Sequence, residues 1–188
     1  MRRFLALGAA ALLTLGLAAC FPDSRNPLGG PEDYYADTSV VGSWYGFDDD
    51  MGIDSWLTIT QRTAGVLDAT LEEDWGDGEP PEISTYSLFW TQVAGYSVVN
   101  VESLDAPEVI YMFADYAIGD DGGLMVWFMD DQIVINEIEN GYLTGTVEYD
   151  EFGEYVTITD SGSAIGAMIE RYDRETIFSV EWGPFYRQ

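Results

Sequence analysis

Apolar and polar residues alternate in short stretches along most of this chain. Clusters of Gly, Pro, Asp and Asn separate the stretches every ~8–12 residues, a spacing typical of β-strands joined by turns. In one stretch, Leu57 and Ile59 fall on one face and Thr58 and Thr60 on the other, as in a half-buried strand. The pattern predicts strands over residues 40–47, 56–62, 66–72, 83–93, 96–102, 109–118 and 124–129.

The pattern changes after residue 129. Apolar side chains recur at helical spacing in residues 130–140 and 162–172, which predicts two short helices. Pro184 cannot donate a backbone hydrogen bond, so the final strand must contain a bulge or lie at an edge there. The strands predicted in this half of the chain cover residues 142–149, 154–159 and 176–186.

Successive strands with short links predict an antiparallel meander. The outermost strands of an open sheet expose unpaired backbone groups, and closure into a barrel removes both edges. We therefore predict a mainly β fold, in which about eight strands form a closed barrel and two short helices lie in the C-terminal half. A β-sandwich is the alternative architecture.

The N-terminus has the pattern of a secretory leader. Arg2 and Arg3 precede residues 4–19, which are uncharged and almost entirely apolar. This run is shorter than the roughly 20 residues that a permanent membrane-spanning helix needs. We predict that residues 1–19 form a signal peptide that is removed.

The end of this leader, Leu17-Ala18-Ala19-Cys20, resembles the lipobox of bacterial lipoprotein precursors. The resemblance implies that the chain is cut between Ala19 and Cys20, and that the thiol of Cys20 carries diacylglycerol. Cys20 is the only cysteine, so no intrachain disulfide can form. The alternative is an ordinary signal peptide that leaves Cys20 as a free thiol. By analogy with enterobacterial sorting, Phe21 after the cysteine favours the outer membrane, with the domain facing the periplasm.

The mature chain divides into two parts. Residues 20–37 contain the cysteine and many Pro, Gly, Asn and Asp residues without an apolar period, which predicts a lipidated, flexible tether. Residues 38–188 are long enough for a single domain with its own hydrophobic core, and we assign them to the barrel.

The mature chain is strongly acidic. Removal of the leader leaves five arginines and no lysine against 34 acidic residues. Such a surface repels nucleic acid, so we expect no nucleic-acid partner. We expect the chain to attach to the membrane through the acyl chains of Cys20. The acidity suits either simple solvation or the attraction of cations and of a protein partner. Disorder is not indicated, because hydrophobic residues make up 47% of the chain.

The residue types exclude several kinds of catalysis. The chain has no histidine, which excludes Ser-His-Asp and Cys-His nucleophiles and histidine metal sites. The absence of lysine excludes Schiff-base chemistry, and no Gly-rich nucleotide motif is present. A carboxylate pair of the glycosidase kind is the remaining option, but nothing in the sequence singles out such a pair. We predict a protein that is not an enzyme and needs no cofactor.

Gly42-Ser43-Trp44, at the start of the first predicted strand, resembles the G-x-W signature of lipocalins. The resemblance implies a lipocalin-like barrel whose floor is closed by Trp44. It also implies a basic residue packed over this tryptophan, for which Arg174 and Arg187 are the candidates. Residues 124–145 are in addition similar to a family of small bacterial lipoproteins of unknown function.

Aromatic and methionine side chains are abundant on the predicted strands. A barrel of about eight strands either holds one small ligand or is filled by its own side chains. The first hypothesis is therefore a binding module for a small apolar ligand, and the alternative is a structural or interaction protein of the envelope with a filled core. The candidate pocket or core residues are Trp44, Trp56, Trp90, Tyr111, Phe113, Met125 and Trp127.

One acidic turn is a candidate cation site. Asp48, Asp50 and Asp54 alternate around Gly52, and calcium prefers several carboxylate oxygens on a tight turn. Their order differs from that of an EF-hand loop. Asp and Gly are also the residues that hairpin turns require sterically, so an ordinary turn is the competing interpretation.

Overall fold

A computed structural model describes residues 21–149 and 153–188, and it contains a closed barrel of eight antiparallel strands. Three further strands, β1, β9 and β10, lie outside the barrel. The strands are β1 (Asp23–Ser24), β2 (Gly42–Asp48), β3 (Ile53–Gln61), β4 (Leu67–Asp74), β5 (Glu82–Val93), β6 (Tyr96–Ser103), β7 (Tyr111–Ile118), β8 (Leu124–Met129), β9 (Gly145–Tyr149), β10 (Glu154–Ile158) and β11 (Phe178–Arg187).

The barrel closes through its last strand. Strands β2 to β8 follow one another in chain order, each paired with the next. Strand β11 then lies between β8 and β2 and is antiparallel to both. No barrel edge is left unpaired, which confirms the predicted barrel and not the sandwich.

Alternation within each strand separates the inside of the barrel from the outside. In β4, Leu67, Ala69 and Leu71 are buried in the barrel core, and Thr70 between them is exposed. Every second side chain of a strand points to the same face, so this pattern fixes which face of the sheet turns inward.

The two ends of the barrel differ in what they carry. Strand direction places the C-terminus and the short turns 62–66, 94–95 and 119–123 at one end, which we call the lower end. The other end, called the upper end, carries the loops 49–52, 75–81 and 104–110.

Residues 130–177 form an insertion between β8 and β11. It contains α1 (Asp131–Glu139), β9, β10, α2 (Gly162–Ile169) and α3 (Arg174–Ile177). The helices α1 and α2 confirm the two predicted helices, and their N-termini are capped by Asp130 and Ser161. Helix α3 was not predicted, because four residues are too few for a periodic pattern.

The insertion covers one side of the barrel and creates a second hydrophobic core there. Ile165, Met168 and Ile169 of α2 are fully buried, together with the outward-facing Val98 of β6 and Phe113 of β7. The molecule therefore has one core inside the barrel and another between the barrel wall and the insertion.

The segment expected to be a flexible tether packs on the barrel instead, within its described part, residues 21–37. Strand β1 pairs in parallel with β10 and contacts the start of β7. Leu28 is buried, and its backbone N–H donates to the Oδ1 atom of Asn100 over 2.7 Å. The expectation failed because isolated apolar residues such as Leu28 and Tyr34 have no periodicity, yet each packs against the outer wall, as the Tyr34 ring does on Phe89.

Strand limits agree with the predictions to within three residues, and β8 is predicted to the residue. The first strand begins at Gly42 and not at residue 40, because Thr38–Val40 form a 3-10 turn capped by Asp37. The bulge predicted at Pro184 is confirmed by a register shift between Trp182 and Phe185.

Candidate ligand cavity

A cavity of about 100 Å³ lies inside the barrel, and its lining is almost wholly apolar. It is surrounded by aliphatic side chains of β3, β4, β5, β6 and β8 and by a set of aromatic rings. The aromatic part of the wall consists of Phe21, Tyr86, Trp90, Tyr116, Phe128 and Trp182.

Trp44 and Arg187 close the lower end. Trp44 is fully buried, and its Nε1–H donates to the Val40 carbonyl over 2.8 Å. The guanidinium of Arg187 lies 4.4 Å from the centre of a Trp44 ring, a cation–π distance. Arg187 also donates to the carbonyl oxygens of Ser39 and Val41. Of the two basic candidates, Arg187 is therefore the one that packs on Trp44.

Arg174, the other basic candidate, lies elsewhere. Its Nε and Nη2 atoms both donate to the buried carboxylate of Asp115, on the outer face of β7. Its guanidinium also lies 5.4 Å from the Tyr96 ring. This fork joins α3 of the insertion to the barrel wall.

Phe21 occupies the upper part of the cavity. Its ring stacks on Phe128 with 4.0 Å between ring centres. Phe128 lies near the end of β8 that reaches the upper rim. The first described residue of the chain is therefore a plug in the upper mouth of the barrel.

Glu73 is a buried carboxyl at the same mouth. It continues the inward register of β4 after Leu71 and is 5% exposed. Burial raises its pKa, and the nearby Glu82 raises it further. Among the described residues no hydrogen bond or ion pair holds this carboxyl. The pKa of Tyr86, a lining residue, is also raised, mainly by burial and in part by Glu73.

Only two of the seven residues predicted to line a pocket or form a core face the inside of the barrel. Trp90 lines the cavity, and Trp44 is buried in the inner core at the lower end of the barrel. The other five alternate with inward residues and face outward: Trp56, Tyr111, Phe113, Met125 and Trp127.

The outward residues contribute to packing on the barrel wall. Phe113 is fully buried under the insertion, and Tyr111 and Trp127 pack at the border of the same cluster. Trp56 lies 5.6 Å from Tyr45 on the outside. Four of these residues lie on β7 and β8, which are apolar on both faces, so the sequence pattern does not show which face is inward. Trp56 is different, because it lies on the face of Thr58 and Thr60, which the alternation of β3 marks as outward.

A polar cleft of about 570 Å³ lies next to the cavity, on the outer surface. Its walls include Asp37, Asp115 and Arg174, and Tyr116 reaches it through the barrel wall, with its hydroxyl donating to Asp37. The pKa of Tyr116 is raised by burial and by this bond. The pKa of Asp37 is lowered, because the bonds it accepts outweigh its burial. The Tyr96 hydroxyl is buried there without a partner.

The acidic turn has the geometry of an ordinary turn. Asp48 accepts the backbone N–H groups of Asp50 and Met51, each over 2.9 Å. The hydroxyl of Tyr45 donates a hydrogen bond to the carboxylate of Asp54. Within residues 21–149 and 153–188, no group of three or more His, Cys, Asp or Glu side chains is arranged to hold a metal ion.

In the described ranges, no helix combines the length and the apolar character needed to cross a bilayer. Comparison of the chain with protein-family models, with curated proteins and with solved structures gives no match.

Proposed function

We propose that this protein is a non-catalytic lipoprotein of the bacterial cell envelope, anchored to a membrane through Cys20, whose barrel binds a small apolar ligand. The apolar cavity inside the closed barrel carries the binding part of the proposal. The leader and the lipobox-like segment before Cys20 carry the placement.

The cavity volume limits the ligand. Pockets for drug-sized molecules measure about 300–1,000 Å³, and an engineered apolar cavity of about 150 Å³ accommodates benzene. A cavity of about 100 Å³ therefore suits one small ring or a short alkyl chain. A larger guest would have to displace Phe21 from the upper mouth.

Binding can be tested with benzene as the probe. The mature chain with Cys20→Ser is titrated with benzene and followed by tryptophan fluorescence, to which Trp90 and Trp182 in the cavity wall contribute. We expect saturable binding that Ala114→Leu abolishes, because Ala114 lines the cavity and the larger side chain fills it. Ala117→Leu, on the exposed face of the same strand, is the matched control and should bind normally.

The anchor is tested separately by mass spectrometry of the protein isolated from its own membrane. The mature chain should begin at Cys20 and carry the added mass of acyl chains. Native spectra of the same sample would also show a retained ligand. A chain that keeps its leader, or that begins at Cys20 without acyl mass, contradicts the proposed anchor.

The small cavity volume also favours a second candidate function. A barrel that is mostly filled by its own side chains suits a structural or interaction protein, whose acidic surface binds a partner or cations. Absence of a retained ligand together with absence of saturable benzene binding would favour this second function.

A further inference from the structure

The upper end of the barrel exposes an unusual number of large apolar side chains. Six of them lie on its loops or on the strand ends beside them, and each is between 46% and 63% exposed. We call this set the apolar rim, and it consists of Phe47, Met51, Trp75, Ile83, Leu104 and Val109. Isolated exposed apolar residues are normal, but a group on one rim indicates an interaction surface.

The lower end provides the contrast. Its described turns contain mainly Gly, Asp and Ala, and the exposed large apolar residues near it are Ile118 and Tyr186. The hydroxyl of Tyr186 is directed to Asp121 in one of these turns. The same eight strands lead to both ends of the barrel, but large apolar side chains are exposed mainly at the upper end.

The N-terminal chain leaves from the upper end. Phe21 lies in the upper mouth, stacked on Phe128, and everything before it in the sequence is attached at that point. Consecutive Cα atoms are only 3.8 Å apart. The residue predicted to carry the acyl chains is therefore bonded directly to a residue that the barrel holds in its mouth, with no free tether between them.

We propose that the apolar rim rests on the surface of the bilayer, so that the upper mouth of the barrel faces the lipid. The proposal rests on the proposed anchor at Cys20. A short connection at the upper end keeps this end next to the membrane, and it is the end at which large apolar side chains are exposed. Trp75 is of the residue type that prefers the interface between water and lipid.

The charge of the upper loops identifies the kind of lipid surface. The loops also contain Asp49, Asp50, Asp77, Glu79, Asp105 and Glu108, and among their described residues there is no arginine or lysine. Arg25, on the chain before β2, forms a salt bridge with Glu108 and leaves the other five acidic residues in excess. These carboxylates would repel anionic lipid headgroups that lie within about a Debye length of the rim. The rim is therefore suited to a zwitterionic surface, with the apolar side chains in contact with lipid between the carboxylates.

Depth-sensitive quenching tests the proposal on the intact lipoprotein. The acylated protein is reconstituted into phosphatidylcholine vesicles that contain brominated phosphatidylcholine, which quenches tryptophan close to the lipid. We expect clear quenching, most of which is lost in Trp75→Phe and retained in Trp56→Phe. Trp56 is the control, because it lies on the outer wall within β3 and not on a rim loop.

Vesicle composition gives the second readout. Replacing part of the phosphatidylcholine by phosphatidylglycerol should weaken the quenching of Trp75, and added NaCl should restore it. If acylated Trp75→Phe is quenched as strongly as the unchanged acylated chain, the rim proposal is wrong and the proposed anchor still stands. Absence of acyl mass at Cys20 overturns the anchor itself, and with it the premise of the rim proposal.

Discussion

Glu73 is the residue whose position in the barrel is least favourable for its own charge. A buried carboxylate without a partner costs free energy, and here the cost appears as a raised pKa. A group with a raised pKa in the folded state favours folding below its unfolded pKa. This contribution is lost as the pH rises through the folded value.

The free energy of unfolding should therefore fall as the pH rises from about 4.5, the ordinary pKa of a glutamate, toward neutrality. We expect Glu73→Gln to raise stability at neutral pH by about 1 kcal/mol and to flatten this part of the pH profile. Urea unfolding at several pH values measures both effects. Glu72→Gln, one position away on the outward face of β4, should leave the profile unchanged.

Arg187 is the residue that holds the lower end together. Its substitution by alanine removes a cation–π contact with Trp44 and two hydrogen bonds to backbone carbonyls. We expect a loss of about 1–2 kcal/mol in the free energy of unfolding. Arg62→Ala breaks only an exposed ion pair with Asp68 and should cost less than about 0.5 kcal/mol. Equal losses in the two variants would contradict a special role for Arg187.

At the scale of single elements, β7 shows how two adjacent residues belong to different cores. Phe113 is buried under the insertion, and Ala114 faces the cavity. We expect Phe113→Ala to destabilise the protein by about 3–5 kcal/mol, the usual cost for a buried phenylalanine. Its affinity for benzene should remain unchanged, as measured by titration under conditions in which the variant is folded. A large change in affinity would show that the two cores are coupled.

The plug formed by Phe21 leads to a prediction about ligand size. Phe21→Ala removes a ring from the upper mouth, so the cavity should accept a larger guest. We expect naphthalene to bind this variant more tightly than the unchanged chain in the same fluorescence titration. Phe47→Ala, which removes an exposed ring from β2, is the control. If the ratio of the two affinities, for benzene and for naphthalene, is the same in Phe21→Ala as in the unchanged chain, Phe21 does not limit the size of the cavity.

Strands and helices could be predicted well where one face of the element is polar. The alternation in β3 and β4 identifies the inward side chains directly. In β7 and β8 the alternation does not identify the inward side chains, because the insertion covers the outside of the barrel and both faces of these strands are apolar. Glu73 could have been found from sequence, as a charged residue at the fourth position of an otherwise apolar series that begins at Leu67.

At the scale of the whole molecule, the excess of acidic residues must be carried by one compact domain. Self-repulsion destabilises a compact state with a large net charge, and salt screens it. We expect the melting temperature to rise by about 2–4 °C between low and moderate NaCl, which corresponds to about 1 kcal/mol for a domain of this size. An uncharged solute at matched osmolarity is the control, and a melting temperature independent of NaCl would contradict the prediction.

The closed barrel as a whole could be predicted, but the position of the N-terminal segment could not. Closure follows from the number of strands and the need to protect their edges. The path of residues 21–41 depends on single contacts, such as Leu28 with Asn100, between residues far apart in sequence. Neither periodicity nor composition carries information about contacts of this kind.

The way in which β11 closes the barrel has a consequence for the order of folding. The ladder between β2 and β11 joins Tyr45 to Tyr186, so it can form only after almost the entire polypeptide has been synthesised. Contacts between such distant parts of a chain form slowly. Until then β2 and β8 both have open edges, and proteolytic loss of the C-terminal segment that forms β11 would leave these edges open permanently. A copy that lacks its last ten residues, and with them nearly all of β11, keeps two open strand edges and is prone to edge-to-edge association.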